Sequence, residues 1–187
     1  MIFFIISINI FISEYIQGRI SSIQMSSNQK YNIDSKSKII YRTKNKNERY
    51  KAITILKDGI ADTSGYLANG LIRDDDRKVV TNIRDITSTK NAFAALTVDG
   101  GVITWGHYNC GGISEYIQDK LVDIIYITST YKAFAALTSK GRVITWGNDN
   151  YGGDSSKVQH ILRRVVAIKA SHNSFTAELL YGDEVEW

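Results

Sequence analysis

Three tryptophans at equal spacing constrain what this chain of 187 residues can fold into. Trp105, Trp146 and Trp187 stand 41 residues apart. Long stretches of sequence recur with the same period. An internal period of this size is typical of propellers and solenoids, in which each unit buries its apolar face against its neighbours. The sequence therefore predicts an array of one small unit.

The two clearest copies of the unit share three segments. These are ITST at 86–89 and 127–130, AFAALT at 92–97 and 133–138, and VITWG at 102–106 and 143–147. A third copy keeps Phe175 and Trp187, but Glu178 falls where Leu96 and Leu137 stand. This indicates either a substitution or a register slip of one residue. A weaker fourth copy lies upstream, with Ser64 at the tryptophan position.

Each copy is predicted to form short strands. The AFAALT segment is apolar on both faces and half alanine, which suits a strand sandwiched between closely packed sheets. A helix is the alternative, but a turn signal follows within four residues and helices need about 10 to 12 residues. Turns at 99–101 and 139–141 then lead into the β-rich VITW segments. We predict an all-β fold of tandem repeats of about 41 residues, forming a partial or small β-propeller.

Eight residues are expected to hold equivalent structural places in successive copies. They are Phe93, Trp105, Gly106, Phe134, Trp146, Gly147, Phe175 and Trp187. The predicted organisation is a degenerate repeat at 1–41, a basic insertion at 42–51, a degenerate repeat at 52–79, and well-formed repeats at 80–187 that end partway through a unit. The chain would hold about 4.6 units, at the low end of the roughly 4 to 8 blades that close a ring.

The apolar start of the chain, residues 1–12, has three interpretations. A buried strand is favoured, because ISEYIQ at 12–17 is identical to 113–118 and places residues 2–4 opposite a return strand. A signal peptide is the second, and a membrane anchor is the third, since the stretch is short for a span of about 20 residues. An intracellular location is favoured, with secretion expected if the segment is a signal.

Charge and cysteine content narrow the classes of partner. The net charge of +4 is concentrated at 36–51, which holds seven positive residues against one glutamate. This stretch could contact phosphates or anionic lipid, but a solvated loop is favoured. We therefore expect no nucleic-acid partner, and a membrane contact only through residues 1–12. The single cysteine, Cys110, rules out an internal disulfide framework.

No pattern of catalytic residues is evident, so no enzymatic activity, cofactor or metal site is expected. His107 and Cys110 are a close His/Cys pair, but zinc needs about four ligands and Asn148 and Tyr151 replace the pair one unit later. His160 and His172 are predicted to be surface or turn residues. The segment at 74–76 is predicted to be a solvated acidic loop.

Contact residues are instead expected at the loops after the third strand of each unit, 107–116 and 148–157. Aromatic side chains at loop tips supply much of the energy of protein interfaces. The candidate binding residues are Tyr108, Tyr116, Tyr151 and Asp154. Their alternative role is to cover the rim of a blade.

The amino-acid sequence of the repeat resembles the regulator-of-chromosome-condensation type of propeller repeat. The shared features are the AFAALT segment, the turn glycine, and the valine followed by Trp-Gly, over residues 80–187. The units here are shorter, and the sequences GGIS at 111–114 and GGDS at 152–155 replace that family's usual ending. The resemblance implies a platform for protein interaction. The founding member's nucleotide-exchange activity is not implied, because no segment matches an exchange-promoting loop.

Three functions remain open from the sequence. The first is a non-enzymatic scaffold that binds a protein partner of unknown identity through blade loops. The second is a lectin-like propeller with one sugar pocket per blade. The third is a fragment of a longer array without independent function, which would self-associate through open strand edges.

Overall fold

The computed structural model describes residues 81–187 with their side chains, and upstream of them the strands at 22–24, 30–32, 38–43, 51–57, 60–67, 70–71 and 79–80. These strands are β1 to β7. The predicted buried strand at 1–12 and the predicted acidic loop at 74–76 lie outside the described residues.

Residues 83–186 form three antiparallel sheets of three strands each, which we call blades A, B and C. Blade A comprises β8 (Ile83–Ser88), β9 (Ala92–Thr97) and β10 (Val102–Gly106). Blade B comprises β11 (Ile124–Ser129), β12 (Ala133–Thr138) and β13 (Val143–Gly147). Blade C comprises β14 (Val165–Ala170), β15 (Phe175–Leu179) and β16 (Glu184–Glu186).

The three blades have the same strand register. Ile86 pairs with Ala95 in blade A, Ile127 with Ala136 in blade B, and Ile168 with Ala177 in blade C. Each position moves by 41 residues, so Glu178 is a substitution in an unshifted strand. Within 81–187 the helical elements are short 3-10 turns, at Tyr108–Cys110, Glu115–Ile117 and Asp149–Tyr151. The predicted all-β repeat fold is confirmed.

The middle strand of each blade is the centre of the core. Every residue of Ala92–Thr97 and Ala133–Thr138 is buried. In β9, Ala92, Ala94 and Leu96 pack with blade B, whereas Phe93 and Ala95 belong to a second cluster on the other face. Alanine suits this strand because its small side chain lets sheets on both sides approach closely.

Double glycines join one blade to the next through the tryptophans. The indole Nε1–H of Trp146 donates to the carbonyl oxygen of Gly111 over 3.0 Å, and that of Trp187 donates to Gly152 over 3.1 Å. Gly111 has φ +86°, and a Cβ placed on it would lie 2.6 Å from the ring of Phe134. Glycine is therefore required both by backbone conformation and by the ring of the following blade.

Neighbouring blades converge at their first strands. The Thr87 hydroxyl donates to the Ile127 carbonyl over 3.1 Å, and the Ser129 hydroxyl donates to the Ser88 carbonyl over 2.8 Å. Backbone bonds also cross each boundary: Ile124 N–H donates to Gly100 O, and the equivalent Val165 N–H donates to Gly141 O. First strands side by side, with the other strands fanning outward, are the arrangement of propeller blades.

The strands upstream of blade A include a further antiparallel sheet. Strand β3 (Lys38–Thr43) pairs with β4 (Lys51–Lys57), which pairs with β5 (Ile60–Leu67). The predicted boundaries at 41 and 51 therefore pass through one sheet. Arg42 and Thr43 pair with Ala52 and Lys51, and residues 44–50 lie outside the described residues, so the insertion at 42–51 stays a prediction.

The face of blade C that points away from blade B is polar, and we call it the outward face. The equivalent faces of blades A and B, which pack against the following blade, are largely apolar. Glu178 and Glu184 pair across β15 and β16 at the positions of Leu137 and Val143, which are buried in blade B. Thr176 stands at the position of Ala135. Lys169 lies 3.0 Å from the carboxylate of Glu184 and 3.8 Å from that of Glu178. A sheet with this face is unsuited to packing against a further apolar sheet.

Candidate interaction surface

The loops after the third strands begin with capped 3-10 turns. His107 Nδ1 accepts a hydrogen bond from the Asn109 N–H, and the side-chain oxygen of Asn148 accepts from the Asn150 N–H. Histidine and asparagine thus both cap the 3-10 turn at equivalent positions of the repeat. His107 is a capping residue, and Cys110 is a buried free thiol.

The four candidate contact residues lie in two different settings. Tyr108 is 67% exposed and stacks on His107 at a ring separation of 4.9 Å. Tyr151 is half-buried, and Lys132 lies over its ring at 4.9 Å. Both tyrosines lie at the end of the blades that carries the turns between first and second strands, as the bonds from His107 N to Asn91 O and from Asn148 N to Lys132 O require.

Tyr116 and Asp154 follow the double glycines, on the segments that run along the third strands. Tyr116 is 67% exposed; partial burial raises the pKa of its hydroxyl, the Gly147 backbone opposes that rise, and the charge of Asp149 adds to it. The Asp154 carboxylate accepts hydrogen bonds from the backbone and hydroxyl of Ser156, which lower its pKa. Asp154 thus stabilises its own turn.

A row of side chains crosses all three blades at the end that carries the turns between their first and second strands. We define the turn row as Lys90, Tyr131 and His172, which are 41 residues apart, together with Lys132 and Tyr151. Backbone bonds join its members: Lys90 N–H donates to Tyr131 O over 2.8 Å, and Tyr131 N–H donates to His172 O over 2.9 Å. The turn row is therefore part of the framework that holds the blades together.

Aromatic and cationic groups alternate along the turn row. The rings of Tyr131 and His172 stack at 4.7 Å, and Tyr151 contacts both, at 5.9 and 6.1 Å. Lys90 lies over the ring of Tyr131 at 5.0 Å. Such cation–π contacts hold a lysine over a ring with about 0.5–1 kcal/mol at exposed sites.

The positive charges of Lys90 and Lys132 also act on Cys110. Burial raises the pKa of the Cys110 thiol, and the positive charges of Lys132 and Lys90 oppose the rise. Both positive charges therefore act on this buried thiol.

The turn row includes Tyr151, which the sequence singled out as a candidate contact residue, together with Lys90, Tyr131, Lys132 and His172, which it did not single out as contacts. The only signal was positional: residues 90, 131 and 172 are equivalent in the repeat, yet lysine, tyrosine and histidine share no chemistry. His160 and His172 are both exposed, as predicted.

A separate cavity of about 230 Å³ lies between blades A and B, along their first strands. Leu96, Ile125 and Tyr126 line it, with Arg84, whose guanidinium donates to the Ile125 carbonyl. Within the described part of the chain, no group of three or more His, Cys, Asp or Glu side chains could hold a metal ion. No helix among the described residues is long and apolar enough to cross a membrane.

Solved structures similar to this chain include proteins from yeast, human and moss. Prp20p from Saccharomyces cerevisiae, whose structure was described with its binding properties to Gsp1p and histones, is 18% identical over 73% of this chain and 41% of its own, with a TM-score of 0.50. Human WBSCR16 is 14% identical over 86% of this chain and 50% of its own, at 0.48. The ectodomain of the Physcomitrella patens receptor kinase CR4 is 16% identical over 74% of this chain and 38% of its own, with a TM-score of 0.49.

The similarity to Prp20p shows the class of fold and no more. This chain spans between 38% and 50% of the length of those three structures. No protein-family model matches the sequence, and no curated protein matches it. The chain has a β-propeller-like repeat fold.

Proposed function

We propose that this protein is a non-enzymatic repeat scaffold that binds another protein through the turn row. The observation that carries the proposal is the continuous line of Tyr131, His172 and Tyr151 across neighbouring blades, flanked by Lys90 and Lys132. Tyrosines presented on a rigid β framework offer large contact area at little cost in conformational entropy. Tyr108 extends this surface through the Asn148–Asn109 side-chain bond of 2.7 Å.

We also propose that the repeats are of the regulator-of-chromosome-condensation type. The shared register of the Trp-Gly pair after the hairpins of blades A and B and the likeness of the fold to Prp20p support this assignment. Gsp1p and histones are named as binding partners of Prp20p. We propose only the general property for this chain, which is the binding of a protein partner.

The lectin-like alternative is less well supported by the geometry. A sugar pocket repeated in every blade would need the same side chains at equivalent positions. The equivalent positions hold Lys90, Tyr131 and His172 in one series, and Cys110 and Tyr151 in another. One extended surface fits this variation better than identical pockets.

Quantitative capture of partners from cell extract tests the proposal. We compare the wild-type bait with a Tyr131→Ala/Tyr151→Ala variant, and with Tyr181→Ala as the matched control. Tyr181 is 80% exposed on the hairpin between β15 and β16, at the opposite end of the blades. We expect the double variant to lose specific partners that the control retains. Equal capture by all three baits would refute a role for the turn row.

A further inference from the structure

We infer that strand β5 has a second register, shifted by one residue along β4, in which the Gly70 carbonyl accepts a hydrogen bond from the indole of Trp105. We call the sheet of β3, β4 and β5 the upstream sheet. No residue of the turn row takes part in this shift, so it goes beyond the proposed function.

The upstream sheet lies against blade A as each blade lies against the next. The first strand of blade B, β11, contacts both β8 and β9 of blade A, and the first strand of blade C, β14, contacts both β11 and β12. The first strand of blade A, β8, contacts β3 and β4 in the same way. Strand β4 (Lys51–Lys57) also begins 41 residues before β9 (Ala92–Thr97). The upstream sheet therefore occupies the place of a preceding blade.

The buried indole of blade A lacks the hydrogen bond that the indoles of blades B and C form. Trp146 and Trp187 donate to the carbonyl oxygens of Gly111 and Gly152, in the turn that follows the preceding blade. Trp105 is 8% exposed, and its Nε1–H has no hydrogen-bond partner in the part of the chain that the structure describes. A buried donor without an acceptor is unfavourable, because it has lost its bond to water without a replacement.

The repeat offers Gly70 as the missing acceptor, because Gly70 lies 41 residues before Gly111. The two turns are closed alike. In the turn after blade A, the sixth residue, Gly112, donates its N–H to the carbonyl of the first, His107, over 3.0 Å. The first and sixth residues of 66–71 also pair, between β5 and β6. The position of the Gly70 carbonyl is therefore set by β5, which carries its turn.

Strand β5 is displaced by one residue from the register that the three blades share. Val102 lies opposite Leu96 in blade A, and the equivalent pairs recur in blades B and C. Ala61, 41 residues before Val102, lies opposite Leu56 and not opposite Ile55. One residue of a strand spans about 3.4 Å. The displacement thus moves the turn after β5 by about the length of a hydrogen bond, which accounts for the unpaired indole.

Two local preferences compete for the register of β5. Lys57 pairs with Ile60, which leaves Asp-Gly as a two-residue hairpin turn, a favoured type. In blade A, three residues separate Thr97 from Gly101, whose backbone groups bond over 2.9 Å. A three-residue turn would return β5 to the shared register and give Trp105 its acceptor. The sequence of β5, IADTSGYL, is mostly small or polar, and the register of such strands is weakly specified.

Disulfide trapping distinguishes the two registers, because only directly opposite residues lie on one face of the sheet and within reach of each other. Thr54→Cys/Thr63→Cys reports the register of the structure, in which these residues are opposite. Thr54→Cys/Asp62→Cys reports the second register, since the shift places residue 62 opposite residue 54. The full-length variants are equilibrated in a glutathione redox buffer, and the bridged fraction is measured by peptide mass spectrometry. We expect both bridges to form.

Removing the indole donor tests whether Trp105 favours the shift. Trp105→Phe keeps an aromatic ring beside Phe93, but the ratio of bridged to reduced 54–62 variant should fall about fivefold, as expected for the net contribution of one hydrogen bond. Trp146→Phe is the matched control and should leave that ratio unchanged, because its acceptor lies in another turn. The 54–63 bridge should form in each background, which shows that the upstream sheet is folded.

Proton NMR of the protein held by the 54–62 bridge tests the contact itself. We expect a nuclear Overhauser effect between the Trp105 indole proton and the backbone protons of Gly70, with the Trp146–Gly111 contact as the reference. Absence of the 54–62 bridge where the 54–63 bridge forms overturns the inference, as does an equal amount of it in Trp105→Phe. A bridged protein without the contact between Trp105 and Gly70 also overturns it.

Discussion

At the scale of single residues, the repeat is held together by contacts that need one residue type each. The double glycine allows the ring of Phe134 to pack on Gly111, and the indole of Trp146 donates to that glycine's carbonyl. In blade C, Phe175, Gly152 and Trp187 repeat the arrangement. These residues recur every 41 positions because each satisfies a steric or hydrogen-bonding demand of its neighbour.

Gly111→Ala is expected to destabilise the protein more than Gly182→Ala. Both glycines have positive φ, +86° and +93°, so alanine costs about 1–2 kcal/mol at either. Only at Gly111 does the new Cβ meet an aromatic ring, at 2.6 Å, whereas nothing lies within 4 Å of it at Gly182. We expect a loss of about 2–4 kcal/mol at Gly111 in the free energy of unfolding, measured with urea. Equal losses at the two sites would show that the ring contact is absent.

At the scale of the strand, burial on both faces distinguishes the middle strands of blades A and B from that of blade C. Ala135 of β12 is fully buried between blades, whereas Thr176, at the equivalent position of β15, is half-buried on an outward face. We therefore expect a larger side chain to be tolerated at this register position in blade C but not in blade B.

Ala135→Leu is expected to lower the free energy of unfolding by about 1–3 kcal/mol, because extra methylenes in a packed core force displacement. Thr176→Leu should change it by less than about 0.5 kcal/mol, because its side chain has open space beside it. Thermal or urea unfolding of both variants provides the comparison. A greater loss for Thr176→Leu than for Ala135→Leu would mean that blade C, and not blade B, is covered.

The strands were predictable from sequence because their signals are local and repeated. The alanine-rich AFAALT segment, the turn glycines and the tryptophans identified β9, β10, β12 and β13 directly. The division of 38–67 was not predictable, since the pairing of Lys51 with Thr43 leaves no repeated pattern. The turn row was missed because its members share position and not chemistry. Its cation–π and stacking contacts exist only when the blades are assembled.

At the scale of the whole molecule, the array has one face with unusual chemistry. The outward side of blade C carries Glu178, Glu184 and Glu186, with Lys169 bridging two of them. Glu178 and Glu184 replace a leucine and a valine that are buried at the same positions in blade B. Polar and charged residues on an exposed sheet face oppose association between copies.

Restoring the residues of blade B, with Glu178→Leu and Glu184→Val, is expected to promote self-association. The change would create an apolar sheet face like the one that blade B buries against blade C. Sedimentation velocity should detect larger species that increase with protein concentration. Glu178→Gln/Glu184→Gln removes the same charges but keeps the face polar, and should sediment as the wild type does. Unchanged sedimentation of the apolar variant would argue against the role of this face.

The central claim is that successive blades stack in one register, and amide hydrogen exchange tests it most directly. The N–H groups of Ile124 and Val165 begin their strands, but they donate across a blade boundary to Gly100 and Gly141, over 2.9 and 3.0 Å. We predict that both amides exchange slowly by NMR, at rates comparable with those of the buried strand Ala133–Thr138. Exchange of Ile124 and Val165 as fast as that of exposed turn amides would contradict stacking in this register.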